Sequence, residues 1–319
     1  MARSKALTGI LFAAGGSLVF SLNDLSIKLL SDSYALHQII MIRALIAMSF
    51  VLAVIGFSKK GFRQIATGRP VMHLVRVGII MVSNVTFFVG LANMPLADAV
   101  AVAYVSPIII TLQSILFLGE KVGPRRWAAV IVGMLGVIVM LRPGAGVIQP
   151  AALLVLFSAV LNASGNLLAR HLGTTESAMT LTFYVQAGFI VVSLIMGLVV
   201  GDGHLRAEGS LWEFLFRPWY WPPVSDWPLF LLTGLAVGLG ALMVTQAYRT
   251  VEAGLIAPFE YVGMPAAIFW GLMVFGTFPD STGWVGIALI CGSGLYVIWR
   301  ETVTKRAVEE RATEWEAGL

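Results

Sequence analysis

Glu260 is the residue of this chain best suited to chemistry, because it sets a carboxylate inside an apolar segment that two prolines interrupt. The stretch reads Ala257, Pro258, Phe259, Glu260, Tyr261, Val262, Gly263, Met264, Pro265, and from Gly254 to Gly276 Glu260 is the one side chain charged at neutral pH. In hydrocarbon such a charge costs about 2.5–3.5 kcal/mol. Each proline withholds a backbone donor and frees a carbonyl one turn earlier, and such groups persist in an apolar medium only against protein or a water-filled cavity. The chemistry that fits is proton uptake and release, or the holding of a cationic group.

A second constellation lies near the N-terminus. Ser17, Ser21, Asp24 and Lys28 follow i, i+4, i+7, i+11 spacing and share one helical face. A polar stripe of this length cannot face lipid. Asp24 either pairs with Lys28 one turn away or lines a substrate route. Arg43 lies about seven residues inside the next apolar run, roughly 10 Å deep, and needs a partner, for which Asp24 matches in depth. Arg76 matches Glu260 in the same way, so both arginines are expected as structural counter-ions. If Arg76 holds Glu260 as a permanent anion, Glu260 binds a helix or a cation; otherwise it serves as the proton-coupling group.

Asn84, with Ser83 and Thr86, and Asn162, with Ser158 and Asn166, repeat polar groups at helical spacing, as interhelical hydrogen-bonding groups or as cavity lining. Gln246 is ambiguous in the same way. Tyr104 and Trp270 are large rings beside small residues, which suits an aromatic pocket wall or plain packing. No catalytic motif is present: there is no Gly-x-Ser-x-Gly elbow, no His-Glu-x-x-His and no Walker loop. The four histidines lack metal-ligand spacing and Cys291 is the single cysteine, so neither a metal nor a disulfide is expected.

The elements that must position these groups are membrane helices. Apolar residues make up 58% of the 319 and charged residues 12%, with a mean hydropathy of +0.87, far from a soluble domain. Ten runs long enough to span a bilayer are expected at about 7–30, 36–57, 71–92, 96–118, 126–141, 150–170, 178–200, 227–248, 254–276 and 283–299. With the N-terminus in the cytoplasm, fifteen Lys and Arg fall on that side and three on the other, which puts both termini inside. The net charge of +4 is spread over short loops at alternating helix ends, so no nucleic-acid partner is expected. The aromatic connection from Asp202 to Asp226 is expected as a short helix on the outer surface with a proline-stiffened return, or as a gate.

Shifting the chain by 157 superposes Tyr104 on Tyr261, Gly119 on Gly276 and Trp127 on Trp284; shifting it by 142 superposes Asp24 on Asn166 and Lys28 on Arg170. Five spans per half, an odd number, bring the second half in from the opposite side, the arrangement of inverted-repeat transporters.

Two passages carry a resemblance. Leu96, Ala97, Asp98 and Ala99 through Pro107, then Leu118 to Lys121 and Gly133 to Val137, resemble the signature of the drug/metabolite transporter superfamily in its EamA-like ten-helix branch. Glu252 to Gly254, Ala257 to Tyr261, Phe275 and Gly276, Trp284 to Gly286 and Gly292 to Leu295 repeat it, with a departure at Thr277 where the first copy has Glu120. The resemblance implies an all-α integral membrane protein of two inverted five-helix repeats around a central cavity. Its implied units are residues 1–141 and 150–300, followed by a cytoplasmic tail at 301–319. It implies a carrier in the bacterial inner membrane, monomeric or homodimeric, without cofactor or enzymatic activity. Its cargo would be a small polar or zwitterionic metabolite, amino-acid-like, nucleoside-like or vitamin-like, moved by alternating access with a proton as second partner or by uncoupled facilitation. Asp24, Asn84, Tyr104, Asn162, Gln246 and Trp270 are then the candidate substrate-binding residues and Glu260 the proton-coupling one.

Overall fold

The computed structural model describes residues 2–58, 61–106, 108–109, 112–113, 124–141, 149–172, 176–250, 261–296 and 299. These residues form α1 (Ala2–Leu30), α2 (Leu36–Phe57), α3 (Pro70–Ala92), α4 (Leu96–Ala103), α5 (Pro124–Leu141), α6 (Pro150–Leu172), α7 (Ala178–Val200), α8 (Trp227–Thr250), α9 (Gly263–Phe275) and α10 (281–296). No strand occurs among the described residues. Six of the helices, α1, α2, α3, α6, α7 and α8, are long and apolar enough to cross a membrane. Phe57, Leu74 and Leu198, all more than half exposed, belong to the outward faces that such a bundle turns to lipid.

Local sequence explains where the helices begin and end. Pro70, Pro124 and Pro150 each occupy the first helical position, where the missing N–H would have no partner anyway. Ser177 caps α7 by accepting a hydrogen bond from the Thr180 backbone N–H at 3.1 Å. Gly276, at φ 62°, ends α9 in the left-handed conformation that glycine alone takes without strain.

The continuous span expected at 96–118 is interrupted. Helix α4 stops at Ala103, and Tyr104 and Val105 form a turn. Tyr261 and Val262 form a corresponding turn directly ahead of α9. Ala103 and Tyr261 stand four residues ahead of Pro107 and Pro265, the position whose carbonyl a proline ring displaces.

Small residues set the helix contacts. Helix α1 lies along α8, where the Gly240 carbonyl oxygen stands 3.4 Å from the site a Cβ on Gly16 would take. Helix α3 lies along α6, with Gly90 against Ala151 and Val155 and the Ser83 hydroxyl donating to the Ser158 carbonyl at 3.0 Å. Helix α2 packs on α7 and on α8, where Gly234 and Gly238 receive Ile46 and Phe50. Helix α7 also packs on α3; α4 packs on α6 and α9, and α9 on α1. Helices α5 and α10 meet through Gly136 against Leu289 and Ile290, and Gly286 against Met140.

The connection from α7 to α8 departs from the expected surface helix. It is a chain of turns over 201–223 followed by a 3₁₀ turn at Val224–Asp226. Trp219 fills the notch over Gly197 and stacks on His37 at 5.5 Å, and Tyr220 stacks on Tyr34 at 4.8 Å. The Leu36 N–H donates to Phe214 O at 2.9 Å and the Gln38 side chain to Tyr220 O at 2.6 Å. Its rings are therefore used to dock the segment onto the start of α2. Only some of them, such as Trp221 at 83% exposure, remain free to meet a headgroup layer. At the opposite end of the bundle, Thr180 and Tyr184 of α7 donate to the carbonyls of Gln64 and Ile65 in the connection between α2 and α3, at 2.5 and 3.0 Å.

Candidate functional site

The polar stripe of α1 organises the interior. Ser21 donates to the Leu18 carbonyl at 2.7 Å and accepts from the Trp270 indole N–H at 3.2 Å, joining α1 to α9. One turn on, half-buried Asp24 accepts from the Asn23 amide at 3.0 Å. Lys28 does not pair with Asp24. Its ammonium donates to the carbonyls of Leu91 at 2.8 Å and Met94 at 2.7 Å, and lies 5.5 Å from the Phe275 ring centre. The last carbonyls of α3 have no partner within their own helix and carry the negative end of its dipole, so they compete well for the cation.

Arg43, only 2% exposed, is the hub of a buried network. One guanidinium nitrogen donates to Asn84 Oδ1 at 2.8 Å and another to Asn23 Oδ1 at 3.3 Å. The Thr233 hydroxyl donates to the same Asn23 oxygen at 2.5 Å. The guanidinium faces the rings of Phe88 and Phe189 at 5.1 and 5.4 Å. The group thus ties α1, α2, α3, α7 and α8 together, and Arg43 reaches Asp24 through Asn23 instead of directly. Asn84 is here an acceptor for Arg43, with its own amide donating to Ile80 O at 3.1 Å.

Arg76 donates to the Leu181 carbonyl at 3.2 Å. One turn ahead of it His73 lies against the Tyr184 ring at 4.3 Å and 4.0 Å from the Glu176 carboxylate, which also accepts from Thr67 at 2.6 Å. Glu260, the partner expected for Arg76, lies outside the described residues, as does the side chain of Gln246.

The two tyrosines in the turns after α4 and ahead of α9 meet. Tyr104 and Tyr261 stack with ring centres 4.9 Å apart and planes 23° from parallel. The Tyr104 hydroxyl rests against Gly263 and the Tyr261 hydroxyl against Gly294, at positions where a Cβ would have no room. On α6, Asn162 and Asn166 are exposed and bonded to each other at 2.8 Å, off the Arg43 network. Of the sequence candidates the structure therefore joins Asp24, Arg43 and Asn84 in one network, brings Trp270 onto Ser21, and keeps Asn162 apart. The residues that complete the network, Asn23 and Thr233, carry no periodic signal; only the depth of Arg43, which demands acceptors, points to the amide beside Asp24.

Stacking rings, hydrogen-bonding amides and a carboxylate on membrane-length helices suit recognition and release of a solute, and they meet a clear match among known proteins. Residues 7–142 match the EamA-like transporter family. The similarity to curated relatives extends beyond that segment. A riboflavin transporter of Rhizobium johnstonii is 28% identical over 303 residues, 95% of each chain. An S-adenosylmethionine uptake transporter of Rickettsia conorii is 23% identical over 92% of this chain and 94% of its own. A solved crystal structure, 19% identical, covers 97% of this chain and 98% of its own with a TM-score of 0.62, which shows a shared fold. The chain is a multi-pass membrane transporter and not an enzyme.

Proposed function

We propose that this EamA-like protein is a secondary carrier of the bacterial inner membrane that moves a small polar or zwitterionic metabolite by alternating access between two inverted five-helix halves, residues 1–141 and 150–300, with Glu260 as the proton-coupling group. The observation that carries the reading is that the most extensive helix contacts map onto themselves when each helix of one half is exchanged for its counterpart five helices on. The α1 and α8 contact becomes that of α6 and α3; α2 with α8 becomes α7 with α3; α1 with α9 becomes α6 with α4; and α2 with α7, α4 with α9 and α5 with α10 return themselves. The correspondence reaches single residues. The shifts of 142 and 157 carry the Gly16 and Gly240 contact onto Ser158 and Ser83, and Tyr104 onto its own stacking partner Tyr261. They also carry Gln38, bonded to the segment after α7, onto Thr180, bonded to the segment after α2. A pseudo-two-fold axis in the membrane plane through the Tyr104 and Tyr261 pair accounts for all of these, and two such halves can exchange conformations to open either side.

The cargo reading follows from the residues beside that axis. Tyr104, Tyr261 and Trp270 offer faces for a flat heteroaromatic ring, and Asp24 offers a hydrogen-bond acceptor for its polar edge or tail. Riboflavin and S-adenosylmethionine, named for the relatives above, both combine such a ring with a polar chain. A vitamin-like or nucleoside-like cargo is therefore the form of the reading we favour. Arg43 and Arg76 serve as structural counter-ions in this scheme.

Purified protein in proteoliposomes tests this with labelled riboflavin and S-adenosylmethionine as probes. Saturable uptake with counterflow is expected, and accumulation driven by a pH gradient. In Glu260→Gln the accumulation should vanish while exchange at equal concentrations survives. Accumulation that persists unchanged removes Glu260 as the coupling site and leaves uncoupled facilitation. Loss of both activities assigns Glu260 to binding or structure.

A further inference from the structure

We propose that Lys28 is the latch that holds one end of the transport route shut, joining the two halves at the end that carries the 201–226 connection. The proposal rests on the carrier reading above and adds to it the residue that controls access from one side.

Lys28 ends the stripe that begins at Ser17, so a solute moving along the face of Ser21 and Asp24 must pass it. Its ammonium bridges three elements: α1, which bears it; the end of α3 with the turn into α4, which supply Leu91 and Met94 O; and the last residue of α9, Phe275, whose ring it faces. Helix α1 belongs to the first half by sequence but packs along α8 and on α9 of the second, so the hydrogen bonds from Lys28 to the α3–α4 end cross the boundary that must part when the route opens. The α3–α4 turn and the segment that follows α9 also wall a cavity of about 240 Å³, lined by Pro95 and Asp98 on one side and Thr277, Phe278 and Asp280 on the other. Pro95 follows Met94 directly, and Thr277 lies two residues past Phe275. The cavity and the latch therefore share walls.

The acceptors matter as much as the cation. The Asn93 side chain bonds Val89 O at 2.8 Å and its N–H bonds Gly90 O at 3.0 Å, while Lys28 satisfies Leu91 and Met94 O. Releasing Lys28 exposes two carbonyls at a helix end that water can take over once the mouth is open, whereas in the closed state they lie under protein. The latch therefore favours the closed state without making opening prohibitive, as a carrier requires. A methionine would keep the length and remove the donors. An arginine would keep both charge and donors.

The test reads accessibility, so it does not depend on knowing the cargo or on proton coupling. In a Cys291→Ala background, Ser21→Cys, buried beneath the latch, is labelled with a membrane-impermeant maleimide in intact cells and in inside-out vesicles. Ser210→Cys identifies the face that carries the 201–226 connection. With Lys28 intact or as Lys28→Arg, labelling of Ser21→Cys from that face should be slow. In Lys28→Met it should accelerate about tenfold or more from that face alone, the change given by removing a charge-assisted contact from the closed state only. Unchanged labelling in Lys28→Met overturns the latch. So does equal acceleration at Ala44→Cys, a fully buried α2 position away from the stripe, because Lys28 would then only hold the fold together. Absence of any transport in the wild type, with the accessibility pattern intact, would sink the carrier reading and leave the latch standing.

Discussion

Tyr104 and Tyr261 stack face to face, 4.9 Å between ring centres, one in the turn that ends α4 and the other in the turn that precedes α9. The stack joins the end of α4 to the start of α9, beside the α1 stripe. Its hydroxyls occupy glycine notches, Tyr104 over Gly263 and Tyr261 over Gly294, so the ring positions depend on glycines of the second half.

That dependence predicts a rescue. Gly263→Ala puts a methyl into the Tyr104 hydroxyl and should lower stability by about 1–3 kcal/mol, the usual cost of overpacking, and impair transport. With the hydroxyl gone, the nearest ring atom to the new methyl is Cζ at 3.5 Å, an ordinary contact. Tyr104→Phe combined with Gly263→Ala should therefore recover most of the lost thermal stability. A double variant no better than Gly263→Ala alone would show that the notch does not set the ring position.

Much of this arrangement was legible in the sequence, for a specific reason. In a bilayer every backbone group must be satisfied within its own segment, so apolar run length gives the helices directly, and α1 to α10 follow the expected spans in order, with α4 and α9 shorter than theirs among the described residues. The interruption at Tyr104 was not read, although Pro107 marks it, because the span expected at 96–118 was taken from hydropathy, which is blind to a missing N–H. The register of Lys28 was read only in part. Spacing puts Asp24 within its reach, but the competing carbonyls of Leu91 and Met94 lie more than sixty residues away in the chain. Asn23 was invisible for a related reason, since it faces away from the stripe, and only the buried Arg43 makes it necessary. The aromatic connection misled because ring density signals both a headgroup layer and a docking surface; His37, Gln38 and Tyr34 decide for the second.

Arg43 supplies the next expectation. Arg43→Met leaves Asn84 Oδ1 without its donor in the protein interior, which should cost about 2 kcal/mol. Lysine should not restore it, since one ammonium cannot fork to Asn23 and Asn84 while lying between two rings. In a double-mutant cycle with Asn84→Leu the losses should be less than additive, because both changes remove the same bond. Thermal unfolding of the four detergent-purified proteins measures this. Strict additivity would mean that the 2.8 Å contact adds no coupling energy.

The orientation of the bundle is open to direct labelling. Fifteen basic residues at one set of helix ends against three at the other predict that the 201–226 connection is periplasmic and both termini are cytoplasmic. In a cysteine-free background, Ser210→Cys should react with an impermeant thiol reagent in intact cells. Reaction only after lysis would reverse the topology and the side assigned to the Lys28 latch.

Glu213 makes the docking of that connection dependent on pH. Its carboxylate accepts from the Gly209 backbone N–H at 2.8 Å and from Arg206 at 3.0 Å, and lies 3.5 Å from Arg217, whose guanidinium in turn donates to Ser31 O in the turn before α2. The Gly209 N–H first, and the arginines after it, hold the carboxyl below its ordinary value of 4.5. Because the folded-state value is depressed, the stabilisation is fully present above that ordinary value and is lost as pH falls through the lower folded-state one. Exchange of backbone amides across 209–217, corrected for the intrinsic pH dependence of exchange, should therefore show protection falling as pH drops below about 4.5. In Glu213→Gln protection should be lower from the start and flat across the same range, since the amide can neither ionise nor pair with two arginines. A variant that keeps the acid-dependent loss would assign the titration to a different group, with Asp202, paired to His204 at 2.5 Å, the next to examine.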